Sequence, residues 1–116
     1  MKPAARAKAS TTRKLAGNAL ATAGTPWRLP RKPADPTRTA QAHVLANAAS
    51  PRVLRVCYTA GPDDSFVAAR ANTNGAGNIA TNIYLGGCVD IGGTDIELTN
   101  PNAVPVSGTY ELVGDK

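Results

Sequence analysis

Three carboxylates stand close together in CVDIGGTDIEL, residues 88–98: Asp90, Asp95 and Glu97. Two carboxylates on one face would serve acid–base chemistry, and three together would suit Ca²⁺. In an extended strand Asp95 and Glu97 share a face, opposite Ile96 and Leu98. The solvent side of any half-buried strand has the same pattern, so these residues are read as surface charge and no metal site is expected. NTNGAGN (72–78) repeats Asn without a carboxylate, so it reads as a turn rather than a Ca²⁺ loop. Asp63-Asp64 is a turn pair. His43 is the only histidine of the chain and has no Cys or second His beside it, so it is read as packed or solvated. Cys57 and Cys88 lack zinc spacing. Paired, they would close a loop of about 30 residues, worth roughly 3–4 kcal/mol. Nothing signals secretion, so two free thiols acting as small apolar residues are the expectation. There is no Gly-rich loop of the P-loop or dinucleotide type. No catalytic set emerges; the expectation is a non-enzymatic protein without cofactors.

The binding candidates lie earlier. TPWRLPRKPADPTR (25–38) holds the only tryptophan, four prolines and four basic residues. Pro30, Pro33 and Pro36 recur at the period of a polyproline II helix. Read as a stiff rod, Pro26–Pro36 would span about 30 Å. Pro33–Arg38 fits the loose PxxPx-basic form that SH3-type grooves read. Charge is split along the chain: residues 1–52 carry ten Lys and Arg against Asp35 alone, net +9, and residues 53–116 are net −4. Such asymmetry marks an interaction tail. The expected partner-binding residues are Arg13, Lys14, Trp27, Arg28, Arg31, Lys32 and Arg38, with Trp27 either an anchor in a partner's pocket or folded back on its own domain.

The elements that would position these residues divide the same way. Residues 1–51 read as a basic, Pro/Ala-rich arm with short helical pieces, one from Thr11 or Thr12 to about Ala23 and one over 39–49 (TAQAHVLANAA). From Arg52 the period becomes two. RVLRVCYTA, FVAARA, IATNIYL, CVDI, TDIELT and GTYELV read as strands separated by Gly, Asn and Pro turns. The expectation is an all-β fold, a small β-sandwich or barrel over 52–116 preceded by a long extended basic N-terminal arm. A core of that size is marginal and leans on a partner or an oligomer. No apolar run is long enough to span a membrane. The acid-free start has the composition of a transit peptide, but the expectation is that it is retained.

A basic Pro/Ala-rich arm ahead of a Gly-rich β-domain resembles the auxiliary head proteins of tailed bacteriophages, the cement or decoration proteins. NIYLGGCVDIGGTDIELTNPNAVPVSGTYELV (82–113) looks like segments of small phage virion proteins. The resemblance implies a structural virion protein bound to the major capsid protein or other virion subunits, often as a homo-oligomer, with extended segments bracing neighbours. It implies location in the virion after assembly in a bacterial cytoplasm. A nucleic-acid-binding protein with a basic arm and an oligomerising β-domain is the main alternative. A head–tail joining or tail-associated virion protein is a third.

Overall fold

The computed structural model describes residues 24–35 and 37–115. Eight strands follow one another: β1 Thr25–Leu29, β2 Ala40–Leu45, β3 Arg52–Ala60, β4 Phe66–Thr73, β5 Ala76–Tyr84, β6 Cys88–Gly93, β7 Asp95–Asn100 and β8 Val106–Asp115. They form two four-stranded sheets, in the orders β1-β8-β3-β6 and β2-β7-β4-β5. Every pairing is antiparallel.

The order has a simple origin. β4 and β5 are joined at Asn74-Gly75, and both residues take positive φ (53° and 82°). This is the two-residue hairpin turn whose twist matches the flanking strands. From that tip the chain pairs outward as one long hairpin: β4 with β5, β3 with β6, β2 with β7, β1 with β8. Folding the long hairpin over on itself adds the pairs β3–β8 and β4–β7. The result is two sheets face to face with the connectivity of a jelly roll.

Alternation builds the core. Leu54, Val56 and Tyr58 of β3 face Ile96 and Leu98 of β7 and Val67, Ala69 and Ala71 of β4, all essentially buried. The Tyr58 ring lies beside Trp27, ring centroids 6.2 Å apart. The Tyr58 hydroxyl meets Ser65 Oγ at 2.6 Å, and Ser65 Oγ donates to the Pro62 carbonyl. A buried phenol therefore keeps its hydrogen bond.

The all-β expectation holds as two antiparallel sheets, but the sandwich starts earlier than residue 52. β1 and β2 fall inside the expected 1–51 arm, and each pairs with a strand near the C-terminus. The helix expected over 39–49 is strand β2. Ala-rich sequence favours helix, but pairing with β7 buries Ala40, Val44 and Leu45, and tertiary burial outweighs that preference. TPWRL is a strand despite Pro26 because β1 is an edge, where a missing N–H is tolerated. The rod expected over Pro26–Pro36 is likewise replaced by strand β1 followed by a docked loop. The helix expected near 11–23 lies outside the described residues.

Candidate functional site

Asp90, Asp95 and Glu97 are not brought together. Gly93 and Thr94 carry the chain from one sheet to the other, and Thr94 N–H bonds the Asn72 carbonyl on β4 at 2.8 Å. Asp90 is left on the outer face of the β1-containing sheet, opposite Arg55, whose Nε and Nη2 donate to its two carboxylate oxygens at 2.9 and 3.0 Å. Those bonds hold the Asp90 carboxyl below the usual carboxylate range and raise Arg55. Asp95 and Glu97 sit on the outer face of the other sheet. Asp95 accepts from the Asn47 N–H, and Glu97 accepts from Gln41 Nε2 and lies 3.8 Å from His43 Nε2. Each group has a local structural partner. Among the described residues no group of three or more His, Cys, Asp or Glu side chains is placed to hold a metal.

The cysteines depart from the free-thiol expectation: Cys57 and Cys88 form a disulfide. They are directly opposite on β3 and β6, with Cα atoms 4.0 Å apart. This is the close spacing of a non-hydrogen-bonded antiparallel pair, where side chains meet. The signal was present as CYT and GGCVD, two half-buried strand patterns, but register alone puts the sulfurs together.

A shallow depression of about 570 Å³ is lined by Asp63, Asp64, Ser65, Tyr84 and Leu85. The Ser65 hydroxyl in it is committed to Pro62 and Tyr58.

The expected binding residues separate into three places. Trp27 is in the core, 7 % exposed, with its Nε1–H donating to the carbonyls of Cys57 and Thr109, both at 3.1 Å. It is folded back on its own domain, the second of the two placements expected for it. Arg28 is exposed on β1. Arg31, Lys32 and Arg38 are exposed in the β1–β2 loop. Arg13 and Lys14 lie outside the described residues. The loop is docked: Asn100 Nδ2 donates to the Pro30 carbonyl at 2.8 Å, and Lys32 N–H donates to the Asn102 carbonyl at 2.8 Å. Asp35 closes its tip by accepting from the N–H and hydroxyl of Thr37. The Thr37 backbone bond first, and then its hydroxyl, hold the Asp35 carboxyl low.

Four connections cross between the sheets at this end of the sandwich, in the order 30–39, 101–105, 61–65 and 85–87. The first carries Arg31, Lys32 and Arg38, and the third carries Asp63 and Asp64. Opposite charges are thus displayed on one rim, with the 101–105 connection between them. Over residues 24–115 the bases and acids nearly cancel, seven against eight, whereas residues 1–23 hold five bases and no acid. The excess positive charge belongs to the segment ahead of the sandwich.

Sequence reasoning did not single out Asn100. It is 1 % exposed and fully bonded: its amide donates to Pro30 and Val104 carbonyls, and its oxygen accepts from the N–H and side chain of Asn102. The signal was the NPN turn at 100–102, read only as a strand break.

No family model matches the chain, and neither the curated proteins nor the solved structures contain a match to it.

Proposed function

We propose that the chain is a structural virion protein, with the jelly-roll body packed in a protein shell and the basic leading segment holding enclosed nucleic acid. The observation that carries this reading is the partition of charge: a near-neutral body preceded by 23 residues with Lys2, Arg6, Lys8, Arg13 and Lys14 and no acid. That segment has no aromatic residue and two large aliphatic ones beyond Met1, Leu15 and Leu20. Such a composition suits phosphates more than an apolar pocket. Jelly rolls serve viral shells, lectins and cupins alike, so the fold alone does not choose among them.

The test compares the full chain with a variant in which those five cations are glutamine. The full chain binds random-sequence nucleic acid with an affinity that falls with salt at a log–log slope of about 4–5 on duplex or about 3–4 on single strands. The variant loses most of that slope while its body stays folded. Mixed with nucleic acid at low salt, the full chain forms closed particles visible by electron microscopy. No binding at physiological salt, or an unchanged slope in the variant, would defeat the reading. Binding that yields only small soluble complexes would favour the second reading, a nucleic-acid-binding protein that forms no shell.

A further inference from the structure

A sandwich has four sheet edges, and each is a row of unpaired backbone groups that invites another strand unless guarded. Three edges here are guarded. β1 is five residues long and carries Pro26 and Arg28. β2 is interrupted by a register shift between His43 and Leu45. β6 is six residues long, carries Asp90, and is tied to β3 by the disulfide. β5 differs: it runs nine residues, AGNIATNIY, with no charged residue and no proline. Ile79 and Tyr84 are 47 % and 59 % exposed.

The orientation of its free backbone groups follows from one hydrogen bond. Leu85 N–H donates to the Ser65 carbonyl at 3.0 Å, and the register continues through Phe66↔Tyr84, Val67↔Ile83 and Ala69↔Thr81. In an antiparallel ladder bonded and non-bonded pairs alternate. Residues 79, 81 and 83 therefore point their N–H and C=O at β4. Residues 78, 80 and 82 point theirs outward, while the Tyr84 carbonyl accepts from the Gly87 N–H at 2.8 Å. The outward set lies on a stretch, Asn78-Ile79-Ala80-Thr81-Asn82, that reads almost the same in both directions.

We propose that β5 pairs antiparallel with β5 of a second copy of this chain, about a twofold axis through Ala80. In that register Ala80 faces its own counterpart, Asn78 faces Asn82, and Ile79 faces Thr81. The residues with outward backbone groups, 78, 80 and 82, fall opposite one another and form the hydrogen-bonded pairs. The Asn side chains carry donor and acceptor alike and bond across the outer face. The β-branched pair packs on the inner face, covering Ile79. Neighbouring registers, centred on Ile79 or Thr81, place Asn opposite Ala and lose the amide pairs. A twofold contact of one patch with itself closes on a dimer and joins two four-stranded sheets into one of eight strands. The pairing uses neither the basic segment nor the rim loops, so it stands apart from the proposed role.

The test is the mass in solution of the full chain, freed of nucleic acid, by sedimentation or light scattering. The expected mass is twice 11.9 kDa, and it is insensitive to salt. Asn78→Lys with Asn82→Lys sets like charges opposite one another and gives a monomer with an unchanged circular dichroism spectrum and a melting point that no longer depends on protein concentration. Asn78→Lys with Asn82→Glu sets opposite charges across the axis and restores the dimer. Ala80→Pro removes only an outward N–H and gives a monomer. A monomeric wild type, or a dimer indifferent to the Lys/Lys pair, overturns the proposal. A Lys/Glu variant that stays monomeric overturns the register.

Discussion

Trp27 lies against Gly108. The two are register partners on β1 and β8, and a Cβ added at 108 would collide with the Cys57 carbonyl oxygen on β3 and come within 2.6 Å of the indole ring. The Cys57 carbonyl and the indole together occupy the space a side chain would fill, and the indole Nε1–H reaches two carbonyls on β3 and β8. The glycine is required by close approach rather than by a turn.

Gly108→Ala is expected to destabilise the body by about 1–3 kcal/mol through overpacking, and Trp27→Ala by about 3–5 kcal/mol through a large cavity. Urea unfolding measures both, with Trp27 fluorescence as the reporter for Gly108→Ala and circular dichroism for Trp27→Ala. If Trp27→Ala left stability unchanged and cost only partner binding, the buried placement would be refuted.

The disulfide is expected to contribute roughly 3–4 kcal/mol, from closure of a loop with a sequence separation of 31. Urea midpoints with and without reductant, and for the Cys57→Ser, Cys88→Ser double variant, report it. Both routes should give the same loss. The variant should be blind to reductant.

Asn100→Ala is expected to cost about 2–3 kcal/mol, because the Pro30 and Val104 carbonyls and the Asn102 groups lose a buried partner. The sharper readout is local. Amide exchange should quicken at Lys32, whose N–H bonds the Asn102 carbonyl, before it quickens in the β3–β8 ladder.

The carboxyls of Asp90 and Asp35 sit below their ordinary range in the folded chain. A group whose folded pKa is lowered adds stability above its unfolded value, and that stability is lost as pH falls through the folded value. Stability should be flat near neutrality and decline below about pH 4. In Arg55→Gln the Asp90 share of this decline should disappear. Both partners are about half exposed, so salt should shrink the effect as well.

A truncation of residues 1–23 should leave the melting temperature close to that of the full chain, since β1 begins at Thr25. A truncation of residues 1–50 removes β1 and β2, one strand from each sheet. It should yield aggregated or unfolded protein. Equal folding of both truncations would contradict the pairing of β1 with β8.

From Arg52 onward the strands were legible because alternation there is clean: RVLRVCYTA is β3 residue for residue, and the Asn-Gly pair announces the β4–β5 turn. β1 and β2 were not legible. Proline, alanine and basic residues dominate 25–45, and their strand state depends on partners some 50 to 80 residues later in the chain.

The amino-acid sequence by itself determined the all-β character, the main turns and the charge asymmetry, because these depend on local pattern and composition. It also separated a cationic leader from a body able to form a core. Tertiary structure alone decided where that body begins, which way Trp27 faces, and that Cys57 meets Cys88. It also scattered Asp90, Asp95 and Glu97 over two faces and, among the described residues, left the outer edge of β5 without a partner strand. The physical reason is common to all of these. Strand register is set between segments distant along the chain, and each residue's neighbours are fixed only when the long hairpin folds over on itself.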